Sequence, residues 1–202
     1  APHHGASRAA LVGGGTPLRP GEVTLAHRGV LFLDELPHWS KQALESLREP
    51  VEAGVVDVIR ANRRATFPAR FLLVAAMNPC PCGRWGEEQD QCRCDPSLVR
   101  RYRSRVSGPL LDRFDLHVQV RSVPSSLLLE SARGEGSSQV RERVTAARSR
   151  APEWKALRRH TSAAAPELLA RAAERTGLTG RGVTRTLRVA ATIARLAGTE
   201  EV

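Results

Sequence analysis

Residues 29–39 read GVLFLDELPHW, and no other stretch restricts the fold as much. Val30 to Leu33 is an unbroken apolar run, short for a helix and without the alternation of a strand that has one face in water. Such a run predicts a strand buried on both faces, as in a parallel sheet. It ends in two adjacent carboxylates, Asp34 and Glu35. The carboxyl ends of parallel strands are where α/β sheets bind ligands. An acid pair there suits a metal-bound phosphate. The plainer alternative is a pair of acids at the start of the helix that follows.

The pattern continues downstream. Ser40 predicts an N-cap for a helix to Glu52, with Ala43, Leu44, Leu47 and Val51 on one face and Gly54 as its stop. Val55 to Ile59 and Ala65 to Pro68 flank the polar cluster Arg60 to Arg64, a hairpin over 55–68 with a basic tip. Phe71 to Ala76 reads as a second buried strand, which places Asn78 at another strand end. Its amide could position water; a turn residue before Pro79 fits equally. Pro96 to Arg105 predicts a helix and Asp115 to Val120 a third strand, whereas residues 11–22 are turn-rich and predict no regular element. After Pro124 only helical periodicity remains, over 138–150, 166–176 and 182–197. The expected organisation is an α/β part over 1–121 and an all-helical part over 122–202.

Composition narrows the partners. With 41% apolar residues in 202 the chain can build a core, and its formal charge of +10 favours an anionic partner such as nucleic acid or nucleotide phosphate. A solvated Arg-rich surface gives the same number. No run reaches the roughly 18 apolar residues of a membrane span, and the first residues do not form a signal peptide. The expected location is cytoplasmic, with no membrane partner. The chain opens without Met and closes just after a helical pattern, which predicts a fragment of a longer protein. Cys80-x-Cys82 and Cys92-x-Cys94 bracket a short polar loop at 80–94. Four thiolates so arranged suit tetrahedral Zn²⁺, with disulfide pairing or unligated thiols as the alternatives. The six histidines, His3, His4, His27, His38, His117 and His160, are expected on the surface or in packing roles.

Taken together, LFLDE, the basic hairpin, FLLVAAMNP and GPLLDRFDLHV resemble the AAA+ ATPases, in the branch that holds magnesium chelatase and the MCM helicases. APHHGAS, ALVGGGTPLRPGEVTLAHRGVLFLDELP, MNPCPCG, RYRSRVSGPLLDRFDLHV and TRTLRVAATIARLAG are similar to the ComM/YifB group of magnesium-chelatase-like ATPases, over nearly the whole chain. The resemblance implies a P-loop-type parallel-sheet core, incomplete at its N-terminus, followed by a small helical lid that is itself truncated.

It also implies roles. Asp34 and Glu35 match the Walker B pair, Asp34 for Mg²⁺ and Glu35 for polarising water, and Asn78 matches sensor 1. Arg113 matches the arginine finger, against the plainer reading of a salt bridge to Asp112 or Asp115. Arg185 matches sensor 2, with Arg181 and Arg188 close enough to compete for the assignment. Arg60, Arg63 and Arg64 match a pore-facing hairpin that grips DNA, joined by Arg19 from the loop Gly13 to Arg19, which matches the family's other pore-facing insert; an exposed solubilising turn is the alternative. No GxxxxGK[ST] motif occurs in the sequence, and the family carries it upstream of APHH. The implied protein is a ring, expected to be a hexamer, that uses ATP and Mg²⁺ to remodel single-stranded or branched DNA in recombination or natural transformation. The fragment alone is expected to be inactive. A chelatase-type motor for metal insertion and a non-catalytic assembly subunit are the alternatives.

Overall fold

The computed structural model describes residues 1–60, 63–86, 92–121, 123, 134–149, 162 and 164–199. The chain forms two compact units, Ala1–Arg121 and Ser122–Val202.

The first unit is built on two parallel strands. β1 (Val30–Leu33) pairs with β4 (Leu72–Ala75) in the register Val30↔Leu72 to Leu33↔Ala75. The ladder continues past both strands, since Ala76 donates to the Leu33 carbonyl and Leu36 to that of Ala76. Leu31 and Leu33 point into a core shared with Leu11, Val23, Leu44 and Leu47. Leu11, Val23, Leu33, Leu47 and Leu110 are 0% exposed. A leucine so enclosed contributes about 1.5–3 kcal/mol by burial.

The opposite face differs from expectation. Val30, Phe32, Leu72 and Val74 are 58%, 36%, 63% and 37% exposed. The apolar run reports a strand suited to burial on both sides, and the described residues cover only one. The expected third strand is likewise absent: residues 116–120 carry no regular structure, and Leu116, Val118 and Val120 are exposed. A strand needs a ladder partner for its backbone, and among the described residues this segment has none.

Around the strands lie short helices. α1 (Arg8–Val12) and α2 (Glu22–Leu25) flank residues 13–21, which are irregular as expected, and overlap the turn-rich stretch only at its two ends. They meet where Gly21 touches the chain at Leu11 and Gly13; a Cβ on Gly21 would lie 2.4 Å from the Leu11 carbonyl oxygen, so only glycine fits. The helix expected over 40–52 is two helices, α3 (Lys41–Glu45) and α4 (Arg48–Ala53). Ser40 caps α3 as expected, accepting from the Ala43 backbone. Pro50 explains the break: it has no N–H to give, and its ring would strike the carbonyl four residues back in a continuous helix. β2 (Val55–Arg60) and β3 (Arg63–Pro68) form the antiparallel hairpin. α5 (Pro96–Arg103) and α6 (Gly108–Leu111) complete the unit, and Ser107 caps α6.

In the second unit the described elements are α7 (Ser137–Ser149), α8 (Ala165–Thr176) and α9 (Gly180–Leu196). α9 packs on α7. Ala191 is buried; Thr184, Leu187, Ala190 and Ala194 are half-buried, whereas Ile193 is 61% exposed. No helix of the described residues is long and apolar enough to cross a membrane.

Candidate active site

β1 and β4 run in the same direction and end level with one another, so Asp34, Glu35 and Asn78 leave the sheet at the same end. Asp34 is fixed from both sides of its peptide. Its Oδ1 accepts from the Glu35 N–H at 2.8 Å, and its carbonyl accepts from Trp39 Nε1 at 2.9 Å. Trp39 is 3% exposed, so the core itself anchors the acid. Glu35 has φ 50 and ψ 47, a left-handed backbone unusual for a residue with a side chain. Such outliers collect at functional sites, where the surrounding structure holds them. Both carboxylates are solvent-exposed. Exposed oxygens at a strand end suit a hard cation that keeps water and phosphate among its ligands.

His4 was not expected at this site. Its Nδ1 lies 3.1 Å from Glu35 Oε2. Its ring centre is 4.1 Å from that of His3 and 5.9 Å from that of His38, and His38 sets an edge against Tyr102 at 6.1 Å. Nothing in the local pattern around His4 announces this; the contact spans thirty-one positions of sequence. Tyr102 is 6% exposed. Burial pushes its phenol above the usual range, and the charges of Cys80 and Glu35 push the same way, against the positive charge of Arg105. One side chain of α5 thus lies within the electrostatic reach of both Glu35 and the first cysteine.

The arginines divide. Arg113 follows α6 and is 10% exposed; its Nη2 lies 3.0 Å from Glu52 Oε1 and its Nη1 donates to the Pro109 carbonyl. Its partner is therefore Glu52, not Asp112 or Asp115. Arg185 lies half-buried on α9, in the other unit, between the exposed Arg181 and Arg188. On the hairpin, Arg60 and Arg63 form the last paired rung, and their side chains lie outside what the structure describes. Arg64 pairs across the hairpin with Asp57 Oδ2, while Thr66 donates to Asp57 Oδ1. The Thr66 hydroxyl, then the Arg64 guanidinium, holds the Asp57 carboxyl below its usual range. Arg19 is exposed and bridges back to Gly14 in the glycine loop.

The four cysteines converge. All are free thiols, and their sulfurs lie within 4.8 Å of one another. A backbone hydrogen bond at Arg84, then the Cys80 thiol, pulls the Cys82 thiol down to about 6. Among the other histidines, His27 Nδ1 accepts from the Arg70 backbone and His117 packs beside Phe114, the packing roles expected. His160 lies outside the described residues.

A parallel strand pair that delivers two acids and an asparagine to one end defines the ligand end of an α/β domain. The sequence identifies which kind. Residues 1–128 match the model of the magnesium chelatase subunit ChlI family and residues 134–202 that of its C-terminal region. The chain belongs to the magnesium chelatase subunit ChlI family. It is 52% identical to the competence protein ComM of Haemophilus influenzae over 71% of this chain and 28% of that protein. It is 49% identical to the YifB protein of Escherichia coli over 74% of this chain and 29% of YifB. A more distant likeness, 31% over 52% of this chain and 11% of the other, joins it to the DNA replication licensing factor mcm2 of Xenopus tropicalis. The chain thus spans under a third of the length of ComM and YifB.

Proposed function

We propose that these residues are the hydrolytic half of an AAA+ ATPase that works as an oligomeric ring and remodels DNA. The observation that carries the reading is the shared strand end: an exposed Asp-Glu pair on β1 beside Asn78 after β4. When bound, Mg²⁺ and ATP supply the phosphoryl chemistry. Asp34 would hold the ion, Glu35 would orient and polarise the attacking water, and Asn78 would hold that water or the terminal phosphate. Arg113 would reach a neighbouring subunit's site and Arg185 the phosphate from the second unit, which acts as the lid. The GxxxxGK[ST] loop, absent from these residues, would come from elsewhere in the full-length protein. The uncovered face of β1 and β4 is where such a segment would pack. The basic hairpin, with Arg60, Arg63 and Arg64, and Arg19 would hold DNA phosphates without reading bases, as a motor moving along any sequence requires. The likenesses to a competence protein and to a replication factor support DNA over a small-molecule substrate. In this reading the four cysteines hold a structural Zn²⁺.

The test is ATP hydrolysis by the full-length protein with and without branched DNA. We expect hydrolysis stimulated by DNA and abolished in Glu35→Gln. Hydrolysis indifferent to DNA would favour a chelatase-type motor, and none at all an assembly subunit without catalysis.

A further inference from the structure

The cysteine sulfurs are spaced for a cation rather than for one another. Cys80 and Cys82 are 3.3 Å apart, Cys80 and Cys92 3.7 Å, and Cys82 and Cys92 3.6 Å. A disulfide would require about 2.05 Å. Four sulfurs each about 2.3 Å from a tetrahedral zinc ion sit about 3.8 Å apart, close to what is seen. All-sulfur ligation selects a soft or borderline cation, and a closed set of four leaves no position for catalysis. The ion would be structural.

The site's position says what it would hold. Cys80 is fully buried, two residues after Asn78, and the Gly83 N–H closes a turn onto its carbonyl. Cys94 immediately precedes Asp95, whose carboxylate caps α5 by accepting from the Ser97 N–H at 2.7 Å. An ion on the four thiolates would therefore tie the chain leaving β4 to the chain entering α5. α5 then returns to the same place. Arg103 Nε donates to the Pro79 carbonyl at 2.9 Å, and its guanidinium lies 5.8 Å from the Trp85 ring centre. Strand end, cysteine loop and helix make a circuit that closes at Pro79, the residue next to Asn78.

We propose that the four cysteines form a zinc centre whose work is to fix Asn78 at the end of β4, making the position of that side chain depend on the metal. The link to hydrolysis rests on the role given to Asn78 above; the metal and its mechanical effect do not. Asn78 is then a group positioned by the zinc, and the cysteines are positioning residues.

Three readings on the full-length protein, purified under reducing conditions, test it. Elemental analysis should find about one zinc per chain, falling below about a tenth in Cys92→Ser with Cys94→Ser, and Co²⁺ substitution should give the absorption of a tetrahedral thiolate site. Hydrogen exchange at residues 77–83 and 95–103 should quicken at least about tenfold on chelation and recover when Zn²⁺ is restored, while β1 exchange holds. The reversible chelation arm covers a cysteine variant that fails to fold. Metal-free wild-type protein would overturn the proposal, as would zinc whose removal leaves exchange at 77–83 unchanged. Zinc with the exchange effect but unaltered ATP hydrolysis would uphold the centre and remove Asn78 from the hydrolytic site.

Discussion

His4 Nδ1 lies 3.1 Å from Glu35 Oε2. The contact joins the first residues of the chain to the acid expected to orient water, on a backbone twisted into the left-handed region. Glu35 is 54% exposed at its side chain and His4 35%, so solvent discounts the pair, but it still selects one direction for the carboxylate. We predict that His4→Ala in the full-length protein lowers kcat for ATP about threefold to tenfold with KM unchanged, and that His4→Gln, which keeps a donor, restores part of it. Glu35→Gln should cost about 10²- to 10⁴-fold, the usual range for a general base. Steady-state hydrolysis decides it. A His4→Ala effect confined to KM would mean that His4 touches nucleotide instead of aiming Glu35.

Arg113 is held before it can act elsewhere. Glu52 and the Pro109 carbonyl take its two Nη atoms, and its Nε is buried without a hydrogen-bond partner among the described residues. A buried donor left so is costly, which favours a state in which the guanidinium moves to a better acceptor. A neighbouring subunit's phosphate would be one. We predict that Arg113→Ala abolishes hydrolysis by the assembled protein without abolishing nucleotide binding. Glu52→Gln, by loosening the guanidinium, should preserve hydrolysis. Nucleotide titration beside turnover separates the cases. Full turnover in Arg113→Ala would return Arg113 to a structural ion pair.

These two contacts mark what the sequence could not disclose. β1 and β4 were legible because a continuous apolar run has one economical use in an α/β fold. Ser40 and the hairpin were legible because caps and turns are local. The cysteines were legible by spacing. The break at Pro50 was also written in the chain, since the apolar face of residues 43–51 outweighed one proline only on paper. The bare face of β1 and β4 and the unpaired segment at 116–120 were not, because a pattern reports what a strand suits, never whether a neighbour is present. His4 against Glu35 and Glu52 against Arg113 are pairings across sequence that no local period encodes.

Glu45 ties α3 to α6. It accepts from the Ser107 hydroxyl that caps α6 and from Arg48 Nη1 at 2.8 Å. The Ser107 hydroxyl, then Arg48, lowers the Glu45 carboxyl below its usual range. A lowered acid adds stability that is present above its unfolded value, about 4.3, and is lost as pH falls through the folded value. Glu45→Gln should therefore lower Tm at pH 7, and the gap to wild type should close as pH falls below about 4. Thermal melts of both proteins from pH 7 to pH 3 measure it. A gap that stays constant across that range would mean that the contact stabilises by shape alone.

On the hairpin, Arg64 is 67% exposed at its side chain and shares Asp57 with Thr66. An Arg that grips phosphate displaces counterions, and each such contact contributes about 0.7 to 0.9 to the slope of log affinity against log salt. We predict that Arg64→Ala flattens that slope by about this amount for single-stranded or branched DNA. Asp57→Asn removes a repelling charge beside the same guanidinium, so it should tighten binding severalfold at low salt and leave the slope nearly intact. The Asp57 carboxyl is held below its usual range, so the pair is present above about pH 3.9 and is lost only as pH falls through the lower folded value. Binding should accordingly show no titration from Asp57 between about pH 5 and 8. Fluorescence anisotropy over a salt series at two pH values in that window gives all three quantities. If neither substitution alters affinity or slope, the hairpin does not touch DNA, and its arginines only keep the turn in solvent.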